Sequence, residues 1–338
     1  MNKYVDKILD YRDTLGKKSE GDSASPVSRK QFTFLLSGVG SFRKVPGIHK
    51  HMGFEELYHC DSKEDAGLVR EHLKRLFGIE DIDSLVRVCY TMFAAGGEYQ
   101  QFMTFWKDTP VFDVSQLQPQ GVKAFEMCKS KAGHFYPFLR EKGFYAYDIS
   151  EIITLCRIAV AGGIITDEQF YDITDKWVRM AQVFYNSYEE FAVSYLCGGI
   201  YDMSKYDDVD LDEYLALNMQ ILDILLKNDG PWQRSDWYKP EEREWVDLLG
   251  SNLGCFITKK AMDSGYIGYM YHSKPTPGRP DSGWRFMYGD EDEEYLEDAD
   301  NTSIVALNTV CNLHPDILAY VHAEVGRGFD MDITGWVE

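Results

Sequence analysis

Between Asp148 and Leu226 the chain repeats one signal four times: a hydrogen-bond acceptor, an acid or amide three positions later, and an apolar run behind it. The pairs are Asp148 with Glu151, Thr166 with Gln169, Ser187 with Glu190, and Asp210 with Glu213. The first member of such a pair accepts from a free amide of the opening helical turn, and the second reaches back to the first. Tyr147 with Ile152 and Ile165 with Phe170 have the spacing of hydrophobic staples across two of these starts. The first helix is expected to stop at Gly162-Gly163 and the third at Gly198-Gly199, while the fourth runs from Leu211 to Leu226. Helices started in this way and joined by short connections specify an α-helical bundle.

Upstream, residues 1–15 carry an apolar stripe of Tyr4, Ile8, Leu9, Tyr11 and Leu15, and Gly16–Ser28 has the composition of a flexible linker. Phe32–Val39 is a short apolar run. The Gly38-Val-Gly40 that closes it lacks the Gly-Lys-Ser/Thr ending of a phosphate loop. Helical spacing recurs over Ala66–Phe77, Ile82–Ala95, Phe102–Trp106 and Val122–Leu139. Asn228–Lys239, followed by Pro240, has the Gly, Pro and polar content of an interdomain linker, and Glu241–Leu249 is expected to form a short helix.

Past residue 250 the pattern changes. Cys255–Thr258 and Tyr266–Tyr271 are strand-like, Pro275, Pro277 and Pro280 mark a long loop, and Asp316–Val321 is again helical. The expected fold is an all-α helical domain followed by a small α+β domain. The expected boundaries are an N-terminal helix and linker at 1–30, the helical domain at 31–230, a linker at 231–250 and the α+β domain at 251–338.

Hydrophobic residues at 44% and aromatics at 14% suffice for packed cores in both parts. The formal net charge of −20 repels phosphate backbones and anionic lipid, which argues against nucleic acid and membrane as partners and for a basic protein. Cys60, Cys89, Cys128, Cys156, Cys197, Cys255 and Cys311 are scattered and never form a Cys-x-x-Cys pair, unlike a disulfide framework or zinc site. With no apolar leader segment and no apolar run of membrane-spanning length, the expectation is a reduced, cytoplasmic protein.

The segment 281–301 concentrates the most unusual chemistry. Trp284, Phe286 and Tyr288 alternate with Arg285 and Met287 as in a strand that Gly289 ends. Asp290, Glu291, Asp292, Glu293, Glu294, Glu297, Asp298 and Asp300 follow with no Lys or Arg among them, and acids suit the positive end of a helix over Asp290–Glu297. Two readings are open: a solvated acidic helix that serves solubility, or a contact surface on which Trp284, Tyr288 and Tyr295 beside the carboxylates meet a basic protein.

Metal readings fare less well. In Asp208-Val-Asp210-Leu-Asp212 a calcium loop would need Gly where Glu213 stands and Glu where Met219 stands, so Asp210 is better read as a helix cap. Asp330-Met-Asp332-Ile-Thr334-Gly335 begins like such a loop but has no twelfth position. The acids Asp290–Glu294 do not converge on one point, and His49, His51, His59 and Cys60 lack a ligand-pair spacing. No metal or cofactor is assigned. No nucleophile elbow, zinc-binding helix motif or dinucleotide fingerprint is present, and no catalytic residue is assigned. Arg157, on an otherwise apolar helix, has two readings: an internal ion pair with a carboxylate of a neighbouring helix, or an anion-binding group in a pocket.

Two stretches resemble known families. Gly268-Tyr-Met-Tyr271, Asp281-Ser-Gly-Trp-Arg-Phe286, Gly289-Asp-Glu-Asp-Glu-Glu-Tyr-Leu296, Asp300-Asn301 and Leu307-Asn308-Thr309, within Cys255–Phe329, resemble the immunity protein 33 family. Its members are encoded with bacterial polymorphic toxins, so the resemblance implies a protein that binds and neutralises a toxin, not an enzyme. Tyr147-Asp148, Leu155-Cys-Arg157, Ala161-Gly-Gly-Ile164, Asp167-Glu168 and Ser187 to Gly198 resemble the bacterial domain-of-unknown-function family 1266, as do Phe77-Gly78-Ile79 and Ala95-Gly96-Gly97 more loosely. That family usually has a basic residue three positions after the Asp, where this chain has Glu151. This second resemblance implies a fold and no activity, and it leaves open an enzyme or small-ligand protein with a pocket near Arg157.

Overall fold

The structure, a computed structural model, describes residues 1–15, 24–103, 117–333 and 335–338. The linker read over Gly16–Ser28 and the helix read over Phe102–Trp106 lie partly outside these residues. The chain divides into two compact units, one of Met1–Phe102 and Leu117–Glu244, the other including Trp245–Glu338. The first is helical and the second is a six-stranded sheet with short helices.

In the first unit α1 (Asn2–Thr14) buries Tyr4, Ile8 and Tyr11, and α2 (Arg29–Leu36) is capped by Ser28. Next come α3 (Lys63–Phe77), α4 (Ile82–Thr91), α5 (Ala95–Met103), α6 (Pro119–Gly133) and the short α7 (Tyr136–Leu139). The centre is α8 (Tyr145–Ala161), whose residues Ala146–Ala161 are all buried. Around it pack α9 (Asp167–Phe184), α10 (Tyr188–Met203) and, more lightly, α2, α3 and α4, while α11 (Leu211–Leu226) lies on α10. A helix buried on every side must sit at the centre of its unit, and α8 does.

The caps of α9, α10 and α11 are those the spacing predicts. Thr166 and Gln169 form a reciprocal capping box, Ser187 accepts from the Glu190 amide, and Asp210 accepts from the amides of Asp212 and Glu213. The cap expected at Asp148 is different. α8 opens three residues earlier, and Asp148 instead accepts from the amides of Ala95 at 3.0 Å and Gly96 at 2.7 Å, so it caps the start of α5 from a neighbouring helix. Glu151 is a core ion-pair partner of Arg43, not a capping partner. Nor does α10 stop at Gly198-Gly199. A Cβ on Gly198 would stand 2.6 Å from the Cβ of Tyr147, so that glycine permits a close approach of α8 and α10.

Asn228–Lys239, linker-like in composition, is packed into the helical unit. Trp232 is completely buried, its Nε1 donates to the Leu35 carbonyl at 2.8 Å, and Ser235 forms a bridge with Ser25.

In the second unit the strands are β1 (Gly254–Thr258), β2 (Tyr269–His272), β3 (Asp281–Met287), β4 (Thr302–Ala306), β5 (Gly328–Asp332) and β6 (Gly335–Val337), ordered β4-β1-β3-β2-β5-β6. Only β1 and β3 run parallel. The helices are α12 (Lys259–Ser264), α13 (Glu293–Glu297) and α14 (Leu307–Leu313). No helix forms over Glu241–Leu249. From Val246 to Leu248 the backbone is bonded by side chains of α14: Asn312 accepts from the Val246 amide at 2.9 Å and Asn308 from the Leu248 amide at 2.8 Å. Asp330–Asp332 lies in the β5–β6 hairpin, and Asp210 is occupied as a cap. Among the described residues no helix is long and apolar enough to cross a membrane.

Candidate functional site

The acidic segment is built on the end of β3. Gly289, at φ 106°, turns the chain, and Glu291 folds back over that turn. Its carboxylate accepts from the amides of Tyr288 at 2.8 Å and Gly289 at 2.7 Å and from the Thr258 hydroxyl at 2.5 Å. Burial works against its charge, but the Thr258 hydroxyl and these amides outweigh it and hold the carboxyl below the ordinary glutamate range. Asp292 caps α13 by accepting from the Tyr295 amide at 2.8 Å, so the helix begins later than the expected Asp290. Glu291 and Asp292 are therefore engaged in shaping the turn. Asp290, Glu293 and Glu294 are exposed, and Asp290 pairs with Lys260 at 2.5 Å. The same Lys260 nitrogen lies 4.7 Å above the Tyr288 ring, and the Tyr295 hydroxyl accepts from the Lys260 amide at 3.2 Å.

Trp284 is not an exposed anchor. It is 2% exposed, donates from Nε1 to the Val321 carbonyl at 3.1 Å, and stacks on His272 at 4.9 Å. Its partner on β3, Arg285, pairs with the buried Asp281 at 2.7 Å. That pair, with the Gly283 amide and Thr276, overcomes burial and keeps the Asp281 carboxyl far below the usual range. Tyr288 and Tyr295 remain partly exposed beside the acids.

The helical unit holds three buried charges on α8, each with a different solution. Glu151, 3% exposed, is paired with Arg43 and accepts from the Tyr195 hydroxyl at 3.2 Å. Asp148 has the two amides of α5, yet burial still pushes its pKa up to about 7, with those amides opposing and Asp202 adding to the rise. A folded pKa above that of the unfolded chain means a contribution that is fully present below about pH 4 and lost as the pH rises through about 7. The unfolding free energy of the wild type relative to Asp148→Asn is therefore expected to fall by a few kcal/mol between these limits. Urea titrations of both proteins across that range check it, and parallel profiles would contradict the assignment.

Arg157, 1% exposed, has no carboxylate partner among the described residues, which corrects the expected ion pair. It donates to the hydroxyls of Ser37 at 2.9 Å and Ser41 at 2.8 Å and to the Gly53 carbonyl, and it lies 5.2 Å from the Phe34 ring centre. Its Nε is unbonded, and burial pulls its pKa down to about 10. The guanidinium thus ties α2 and the following turn to residue 53. Open clefts of this unit include one of about 510 Å³ beside Tyr188, Trp237 and Tyr238, and one of about 910 Å³ beside His51, Phe54 and His59. Arg157 lines neither. His49 and His59 bond to Asp65 and Asp167, and among the described residues no three His, Cys, Asp or Glu side chains converge to hold a metal ion.

Alternation places Arg285 and Met287 on the face of β3 opposite Trp284, and the strand register adds Phe256, Tyr269, Tyr271 and Ile304, which the sequence did not single out, to that face.

Fold and site together define a helical unit joined in sequence to an α+β unit whose distinctive chemistry is displayed on its surface. Residues 255–338 match the Immunity protein Imm33 domain family, and residues 72–237 match the family described as Protein of unknown function (DUF1266). The stretch that forms the sheet is thus similar to an immunity-protein domain. No curated protein and no solved structure matches it.

Proposed function

We propose that this chain is an immunity protein that binds a cognate basic toxin through residues 255–338 and neutralises it without catalysis. The observation that carries this reading is the immunity-domain match over the whole of the sheet that displays the acidic turn. Asp290, Asp292, Glu293 and Glu294 lie exposed in one short segment with Tyr288 and Tyr295 beside them. Such a patch accelerates encounter with a cationic surface, and the partly exposed tyrosines offer contact area at low cost in side-chain entropy.

The test is co-expression with the toxin encoded beside this gene, scored for survival and for a complex that co-purifies. Survival with a complex supports the reading; death without one removes it. Replacing Asp290, Asp292, Glu293 and Glu294 by Lys is expected to slow association about ten- to a hundredfold at low salt, with the difference shrinking as salt rises. Stopped-flow mixing at two salt concentrations measures this.

A further inference from the structure

The two faces of the sheet are unlike. Cys255, Ile257, Met270, Trp284, Phe286 and Phe329 lie on one side and are all buried. The register sets Phe256 opposite both Arg285 and Ile304, Tyr271 opposite Arg285, and Tyr269 opposite Met287, so these side chains share the other side. None of them is fully buried, and Ile304 is 66% exposed.

This second face is already ordered. The Arg285 guanidinium carbon sits 4.3 Å from the Phe256 ring centre, its charge is met by Asp281 at 2.7 Å, and Tyr269 stacks on Tyr271 at 5.8 Å. Aromatic, Met and Arg side chains are the types enriched where protein interfaces bury their anchors, and a preordered set loses little entropy on binding. At its margin β4 is an edge strand with the sequence Thr-Ser-Ile-Val-Ala, which has no charge or proline to guard it.

One end of the same face is negative. The pairs Thr258–Thr302, Tyr269–Met287 and Tyr269–Asp330 bring the end of β3, the start of β4 and the exposed Asp330 to one end of the strands. Asp290 follows β3 there, and Asp298 and Asp300 precede β4. From Phe286 to Leu313 the chain contains no Lys, Arg or His, and Lys260 is paired with Asp290.

We propose that this face, from Ile304 across Phe256 to Tyr271, is the docking surface for a basic protein partner. The partner's apolar side chains cover the aromatic face, and its lysines and arginines meet Asp290, Asp298, Asp300 and Asp330. The inference rests on the immunity reading for the partner's identity as a toxin. It moves the energetic centre of the contact from the acidic turn to the sheet.

The test titrates the catalytically inactivated product of the adjacent toxin gene into the full-length protein, comparing wild type with Ile304→Arg and Tyr271→Ala. Each substitution is expected to weaken affinity about 30-fold or more; Ile304→Arg, at an exposed edge position, leaves the melting temperature unchanged, whereas Tyr271→Ala lowers it slightly by removing the stack on Tyr269. Hydrogen exchange on the wild-type complex reads the same surface without substitution: amides of β4 and β2 are expected to slow. If the wild type binds but both variants bind within about twofold of it and exchange in β4 does not change, the docking face is wrong and the immunity reading stands. If the wild type itself neither binds nor protects, the immunity reading falls and the docking proposal falls with it.

Discussion

Replacing Trp232 with alanine is expected to lower the unfolding free energy of the helical unit by about 4 kcal/mol. The indole is completely buried, stacks on Tyr188 with ring centres 5.3 Å apart, meets Phe191 edge-on at 6.0 Å, and donates to the Leu35 carbonyl at 2.8 Å. Alanine would leave a cavity under α10 and take from the Leu35 carbonyl one of its donors, the Gly38 amide at 2.9 Å remaining, so the cavity carries most of the loss. Trp232→Phe separates them: it keeps most of the ring and forfeits the hydrogen bond, at an expected cost of about 1–3 kcal/mol. Equilibrium urea unfolding followed by helical circular dichroism gives both values. A change below about 1 kcal/mol for the alanine variant would mean that Asn228–Lys239 behaves as a tether after all.

The second large effect concerns Arg43 and Glu151. Removing Arg43 as Arg43→Met leaves a carboxylate that is 3% exposed with the Tyr195 hydroxyl as its remaining close donor. Breaking one side of a buried pair costs about 3–5 kcal/mol, and because the Arg43 side chain is 41% exposed the lower end, about 3 kcal/mol, is expected. The sharper measurement is the double variant Arg43→Met with Glu151→Leu, which removes both charges. It should recover a large part of the loss, since an apolar pair of similar volume often matches a buried ion pair in stability. A double variant less stable than Arg43→Met alone would show that Glu151 contributes through something other than this pair.

Glu151 on α8 meets its base, Arg43, from the turn after α2. The charge at this position of α8 is thus part of a core interaction, and Arg157, the core charge read as a possible anion-binding group, likewise holds neighbouring segments in place.

What was legible in the sequence was local. The caps at Thr166, Ser187 and Asp210 could be seen because a cap and its amide lie within four residues of each other, so no distant partner is needed to define them. The strand through Trp284 and Phe286 was visible because period-two alternation is a property of the segment itself. The change from helices to an α+β fold near residue 250 could be read from the same local periods. What only the tertiary structure decided were the partners of residues far apart in the chain. Asp148 looks like a cap of its own helix and caps another one, because Ala95 and Gly96 are brought to it by the packing of α5. Gly198 looks like a stop and is instead a contact point between helices, because what excludes a side chain there is Tyr147 on α8. Trp284 looks like an available anchor and is core, while Ile304, unremarked in the sequence, is exposed at a sheet edge. A period tells which residues share a face; only the packing of neighbouring elements determines which face meets water.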